Sequence, residues 1–314
     1  MTKSWFESRS SCPACRSVDL FLRYESSYTD SPLKDYLVDF YSPQGGVDFD
    51  ILTGANYALQ QCAHCSLLFQ REIPGDRLMQ TLYESWIEPS IVFEKQSQSG
   101  VEHYGQHASE ILAIGHYLGR RPADLTVLDF GMGWGDWLLM AKAFGFRAFG
   151  MEISHSRVEH GRSLGLEMID WDAGKEVGFD FINTEQVFEH LSEPLETLKG
   201  LCQMLNPRGL LKISVPTAHR VERRLSKMDW DSKKGSKLSL NFIAPLEHIQ
   251  YFQRTSLIEM ARLAGMEIVK IPVRTQISAA SGWTSLDRIL RNIGLPIVRN
   301  FTNLQNYIFL SPKQ

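Results

Sequence analysis

Residues 126–141 read Thr126-Val127-Leu128-Asp129-Phe130-Gly131-Met132-Gly133-Trp134-Gly135-Asp136-Trp137-Leu138-Leu139-Met140-Ala141. A short apolar run, Thr126 to Leu128, has the length of a buried strand and ends in Asp129. Glycine then recurs at every second position, 131, 133 and 135, before a helical pattern begins at Trp137. Strand, glycine turn and helix together make a nucleotide site at the carboxyl end of a parallel strand. Glycine suits such a turn because the backbone must bend sharply and let a ligand come close. Glu152 ends the next apolar segment, Ala148 to Met151. A carboxylate about twenty residues beyond the glycines is placed to accept hydrogen bonds from both ribose hydroxyls.

A dinucleotide fold would call for Gly-x-Gly-x-x-Gly with a pyrophosphate on the helix N-terminus, and the spacing here is different. Asp129 would repel a pyrophosphate and welcome a cationic ligand. An acidic residue followed by Gly-x-Gly-x-Gly resembles the first motif of the class I S-adenosylmethionine-dependent methyltransferases. The pattern continues. Phe179 to Asn183 is a buried strand candidate leading into Thr184-Glu185-Gln186-Val187-Phe188-Glu189-His190-Leu191, then a helix from Leu195. Asn206-Pro207-Arg208-Gly209 is a turn before a strand at 210–215, and Glu247-His248-Ile249-Gln250-Tyr251-Phe252 precedes another helix. The resemblance spans roughly residues 100–314. It implies that Asp129, Gly131, Gly133 and Gly135 cradle the cofactor near its amine. It also implies that Glu152 takes the ribose, that Asp170 (or Asp172) and Trp171 flank adenine, and that Asn183 to Gln186 line the methionine part.

The second feature is a pair of Cys-x-x-Cys knuckles, Cys12-Pro13-Ala14-Cys15 and Cys62-Ala63-His64-Cys65. Four thiolates in two such pairs suit a tetrahedral structural Zn²⁺. A redox role is the other reading of Cys-x-x-Cys, but neither pair opens a helical pattern. Cys202, in an apolar helix, reads as a core residue. The segment after the second knuckle, an apolar stretch at 65–69 and a helix from Leu78 to Trp86, is similar to the zinc module that precedes the catalytic domain in small-molecule and sugar methyltransferases. The sugar enzymes usually carry a further C-terminal domain.

The expected fold is α/β: a Rossmann-like seven-stranded methyltransferase sheet with a small N-terminal zinc-binding domain. The zinc module and linker helix take residues 1–98 and the catalytic domain residues 99–314, with the boundary in the polar stretch Ser97-Gln98-Ser99-Gly100. Strands are expected at 126–129, 146–151, 166–169, 179–183, 210–215, 268–273 and 306–310. A helix from His103 to Leu118 should cover the cofactor pocket. Tyr104 and Gln106 near its start either close over the methionine part or are ordinary helix surface. A helix over Ser285–Ile293 interrupts the last strand pair, as a cover over the sheet, a wall of the substrate pocket or a dimer contact.

A chain of 314 residues is long enough for one large and one small domain. The formal net charge of −3 makes it a poor general binder of nucleic acid. Residues 1–98 also hold more Asp and Glu than Lys and Arg. The polar start has no apolar stretch of signal-peptide length, and no run reaches the length of a membrane span. Zinc-type cysteines without an export signal point to the cytoplasm. Oligomeric state is not readable.

Methyl transfer needs alignment of the acceptor, exclusion of water and, for some acceptors, removal of a proton. Glu189 and His190, after the fourth strand, and His248 are the acid–base candidates; Glu189-His190 also reads as an element that only positions loops. Some O-methyltransferases hold a divalent cation with Glu-x-x-Glu-His and a later His, and this chain has Gln186 in place of the first Glu. Residues 217–240 carry Arg220, Arg223, Arg224, Lys227, Lys233, Lys234 and Lys237, a lid for a phosphate-bearing acceptor or a solvated loop. The expected activity is methylation of a small polar metabolite, such as a sugar derivative or natural-product precursor. The alternatives are an RNA-modifying methyltransferase and a catalytically silent cofactor-binding partner subunit.

Overall fold

The computed structural model describes residues 5–42, 45–87, 93–94, 98–218, 221, 224, 230, 240 and 243–313. The chain divides into two compact units. The first comprises Met1–Lys95, Glu189–Pro194 and Pro216–Met260; the second comprises Gln96–Phe188, Leu195–Val215 and Ala261–Gln314.

In the first unit, β1 (Phe6–Ser8) and β5 (Glu72–Pro74) form an antiparallel pair. A larger antiparallel sheet holds β2 (Leu20–Ser27), β3 (Asn56–Cys62) and β4 (Leu68–Gln70), and a short later strand, Gln250–Tyr251, pairs with β4. Helices α1 (Leu33–Tyr41), α2 (Phe49–Leu52) and α3 (Asp76–Thr81) accompany it, and α3 runs on into a π-turn at Leu82–Trp86. The core is rich in aromatics: Tyr28, Tyr41 and Tyr57 are fully buried, and Trp230 packs edge-on against Tyr36 and Tyr57. The hydroxyls of Tyr28, Tyr41 and Tyr57 each find a partner, whereas the buried Tyr36 hydroxyl has none among the described residues. Tyr57 bonds Tyr251 at 2.8 Å, Tyr41 donates to Glu247, and Tyr28 donates to Gln70. Burial pushes all three phenols up, so they stay neutral donors. Of the basic stretch 217–240, Arg220, Arg223, Lys227, Lys233, Lys234 and Lys237 lie outside the described residues.

The second unit is built on one seven-stranded sheet. Its strands are β6 (Thr126–Phe130), β7 (Arg147–Met151), β8 (Glu167–Met168), β9 (Phe179–Glu185) and β10 (Leu205–Val215), then β12 (Met266–Val269) and β13 (Asn306–Pro312), with β11 being the Gln250–Tyr251 strand of the first unit. The order is β12-β13-β10-β9-β6-β7-β8, and β13 alone runs antiparallel to its neighbours. This is the expected α/β sheet. The turn Asn206–Gly209 appears as an irregularity in β10, where the register shifts between Leu205 and Leu210 and Arg208 takes a φ of 68°.

Helix α4 (Val101–Leu118) ends on Gly119, whose left-handed φ of 64° closes the last turn. Then follow α5 (Asp136–Ala143), α6 (His155–Ser163), α7 (Trp171–Val177), α8 (Pro194–Met204) and α9 (Arg254–Leu263). Two helices, α10 (Val273–Ala279) and α11 (Leu286–Phe301), stand between β12 and β13. The last is longer than its sequence pattern suggested because Pro296 sits inside it without ending it. The buried core under α4 and α5 joins Ile111, Ile114, Val127, Trp137, Phe181 and Phe309. From β6 the chain crosses to β7 on one side, and after β8 it returns to β9 on the other. That reversal opens a crevice at the carboxyl ends of β6 and β9, where α/β sheets bind ligands. No helix among the described residues is long and apolar enough to cross a membrane.

Candidate active site

Asp129 is the fourth residue of β6, in register with Gly150 on β7 and Asn183 on β9. It is buried, and Asn183 Nδ2 donates to its Oδ1 at 2.7 Å. Burial raises its carboxyl to about 7, against the pull of Asn183 and Lys212. The three glycines that follow all take left-handed φ values, 72°, 58° and 89°. At Gly131 an added Cβ would stand 2.5 Å from Val187, and at Gly135 2.8 Å from Leu166. At Gly133 it would meet nothing within 4 Å. The outer glycines thus let the chain pack, whereas Gly133 leaves open space.

Glu152 closes the same turn from the end of β7. Its Oε2 accepts from the Gly133 N–H at 3.0 Å, and its Oε1 from the N–H groups of Ile153 and Ser154 at 2.9 Å each. A carboxylate has about four acceptor positions, so three backbone bonds fix the group and leave capacity on Oε2. Gln186, just past β9, takes a left-handed φ of 54°, a strained choice for a non-glycine residue, and its N–H bonds Ser214 O at 2.8 Å. Asp170 is the N-cap of α7 and accepts from Ala173 N at 2.8 Å. Trp171 lies edge-on to Phe130, with ring centroids 5.9 Å apart. Asp172 is exposed and pairs with Lys175. Asp129, Gly131–Gly135, Glu152 and Gln186 therefore gather around the carboxyl ends of β6, β7 and β9.

One neighbouring network was not visible from the sequence. Lys212 is fully buried in β10 and bonds Glu110 and Glu185 at 2.7 Å each. Glu110, on α4, also accepts from Trp137 Nε1 at 3.0 Å and Tyr307 O–H at 2.6 Å. Burial alone would raise the Glu110 carboxyl, but Lys212 and these donors hold it down at about 2. Burial likewise pulls Lys212 down, and the two carboxylates more than offset it. The only sequence signal was a lysine inside the apolar run Leu210-Leu211-Lys212-Ile213.

In the first unit, Glu189, His190 and His248 present side-chain donor atoms within 4.8 Å of one another. His190 Nδ1 lies 2.9 Å from the Glu247 carbonyl. A carbonyl only accepts, so Nδ1 carries a proton, and in the neutral ring the lone pair is on Nε2. The two imidazole centroids are 4.8 Å apart.

The four knuckle cysteines also meet, with all sulfurs within 4.8 Å of one another. Cys12 and Cys65 are 3.6 Å apart and Cys15 and Cys62 3.5 Å. Sulfurs around a tetrahedral zinc with bonds of about 2.3 Å stand roughly 3.8 Å apart. The cluster fits that geometry. Each knuckle bends through a left-handed residue, Arg16 and Ser66, both at φ 63°.

Several solved structures are similar to this chain at low identity. PKMT2 from Rickettsia typhi is 14% identical, with 67% of this chain and 54% of that one covered and a TM-score of 0.42. The plantazolicin methyltransferase BpumL, solved with a desmethylPZN analogue and SAH, is 14% identical, with 76% and 94% covered and a TM-score of 0.49. A SAM-dependent methyltransferase from Archaeoglobus fulgidus is 15% identical, with 71% and 99% covered and a TM-score of 0.40. This chain thus spans about half the length of the Rickettsia protein. No curated protein sequence matches. The family model described as "Methyltransferase domain" matches residues 102–271, from the start of α4 through β12. That match covers more than half of the chain and includes the glycine turn, Glu152 and the strand-end residues around them, so the chain belongs to the methyltransferase-domain family.

Proposed function

We propose that this chain transfers a methyl group from S-adenosylmethionine to a small polar metabolite, in the cytoplasm, and carries one structural zinc ion on Cys12, Cys15, Cys62 and Cys65. The observation that carries the cofactor site is the open space at Gly133 beside a carboxylate anchored by the Gly133 N–H. Glu152 accepts a ribose hydroxyl on Oε2. Asp129 receives the ammonium of the methionine part, aided by Asn183 and Gln186. Asp170 and Trp171 flank adenine. When bound, the cofactor supplies an activated methyl, so the protein needs no covalent nucleophile; its work is alignment, exclusion of water and proton removal. His190 is the base, because its Nδ1–H on the Glu247 carbonyl directs the basic lone pair through Nε2. Glu189 and His248 stand beside it.

A second reading has a specific observation behind it. The donor atoms of Glu189, His190 and His248 are close enough to share one divalent cation. Metal analysis separates the two: one zinc per chain fits the first reading, and a second, chelator-labile metal required for turnover fits the other. The activity itself is tested by incubating the protein with methyl-labelled S-adenosylmethionine and fractionated metabolites. Absence of cofactor binding would sink the proposal.

A further inference from the structure

Helix α11 is turned the opposite way from most helices of water-soluble proteins. Its apolar residues face outward: Leu286 and Phe301 are each 71% exposed and Leu290 60%. Arg288, Arg291, Asn292, Leu295 and Arg299 recur at helical spacing on another face, and that face lines a cavity of about 380 Å³. The volume is within the roughly 300–1,000 Å³ of small-molecule sites. The cavity reaches Glu185 and Ser214, at the carboxyl ends of β9 and β10, and its lining includes none of the glycine-turn residues. It therefore lies beside the proposed cofactor cradle, on the same edge of the sheet.

Its charges are unevenly matched. Arg288 is paired with Glu102. Glu110, at the floor, is held by Lys212, Trp137 and Tyr307 and feels Arg299 at longer range. Arg291 and Arg299 form no ion pair with a carboxylate among the described residues. Arg291 gives one bond to Gln106 at 3.2 Å. Arg299 lies over the Tyr307 ring, 3.8 Å from its centroid, and its buried Nε has no hydrogen-bond partner. Two guanidinium groups held at a cavity wall without a directly paired carboxylate, the carboxylates there being bonded to Lys212 and Arg288, call for an anion, and guanidinium suits a two-oxygen anion because it can donate two parallel bonds.

Resting on the methyl-transfer reading above, we propose that this cavity is the acceptor pocket and that the acceptor carries an oxyanion, carboxylate or phosphate, gripped by Arg291 and Arg299. Gln276, Asn292 and Ser281 supply neutral polar contacts, and Ile271 and Phe309 an apolar floor.

The test uses the full chain, methyl-tritiated S-adenosylmethionine and a deproteinised metabolite extract. Anion exchange first splits the extract into a retained and an unretained pool. Label should enter the retained pool, and Arg291→Gln and Arg299→Gln should each lower the rate at limiting pool concentration by tenfold or more. Their affinity for S-adenosylhomocysteine should be unchanged. Arg299 supports Tyr307, so its loss can disturb packing; exposed Arg291 provides the variant that keeps the fold. Alkaline phosphatase treatment of the retained pool abolishes labelling if the anion is a phosphate and spares it if the anion is a carboxylate. Labelling confined to the unretained pool would overturn the proposal. So would wild-type rates in both variants, or no labelling in either pool by protein that binds S-adenosylhomocysteine. Protein that binds no S-adenosylhomocysteine would instead remove the methyl-transfer reading, and this proposal with it.

Discussion

Gly133 and Asp129 give the sharpest residue-level tests. A side chain at Gly133 enters the one open position of the turn and must also accept a φ of 58°, so Gly133→Val should abolish binding of S-adenosylmethionine and S-adenosylhomocysteine, measured by calorimetry. Glu152→Ala should weaken the cofactor by about 1.5–3 kcal/mol, the scale of a hydrogen bond to a charged group; an unchanged dissociation constant would remove Glu152 from the ribose. Asp129 adds a pH signature. Its folded pKa of about 7 exceeds the ordinary 3.8. Between those values the folded chain holds the proton and the unfolded chain does not, so this group's contribution to stability falls as pH rises through that window. Cofactor binding runs the other way. On the proposed contact between the cofactor ammonium and Asp129, affinity should fall as pH drops below about 7, and Asp129→Asn should flatten that dependence while weakening binding above it. For catalysis, His190→Ala should cut turnover by about a hundredfold or more with cofactor affinity near normal. Full turnover would exclude it as the base.

Elements were legible where the signal was local. The strand–glycine–helix unit at 126–141, the Glu152 strand end and the two cysteine knuckles each lie within a few residues of sequence, and each formed as its chemistry dictates. What escaped was long-range. Lys212 and Glu110 are about a hundred positions apart, and nothing in a strand's alternation says which helix will supply the counter-charge. The helix over Ser285–Ile293 reads, from its apolar spacing, as a cover, a pocket wall or a dimer contact, but the arginines of α11 escaped for a related reason: nothing local says which face the fold turns inward. Asp170 shows a third cause, because an Asp before a helix serves as N-cap by local geometry whatever else its second oxygen contacts. The Lys212–Glu110 pair between β10 and α4 is testable in its own right. Lys212→Met should destabilise the chain by about 3–5 kcal/mol in urea unfolding, since it leaves a buried carboxylate without its cation, and adding Glu110→Gln should restore much of the loss. Equal stabilities of the single and double variants would show that the carboxylate is not the cause.

At the scale of the whole molecule, the residues of the proposed chemistry are divided between the two units. The glycine turn, Asp129 and Glu152 belong to one; the cysteine cluster belongs to the other, along with Glu189, His190 and His248. The second group reaches its unit from three separate stretches of sequence. The joins include β4, which follows the second knuckle and pairs with β11 two residues after His248, and the Gln70 side chain, which donates to the His248 carbonyl at 3.0 Å. Structural zinc sites supply on the order of 10 kcal/mol of folding energy to small modules. Protein purified without chelator should therefore contain about one zinc per chain, and Cys62→Ser should lose it. Because β3 ends at Cys62 and β4 begins at Leu68, losing the metal should loosen that hairpin and, through β4 and Gln70, the seat of His248. The expected outcome is specific: near-normal affinity for S-adenosylhomocysteine, with methyl transfer reduced at least tenfold. Loss of cofactor affinity in parallel would show that the cysteine cluster supports the whole chain. Full transfer by zinc-free protein would show that Glu189, His190 and His248 are held without it.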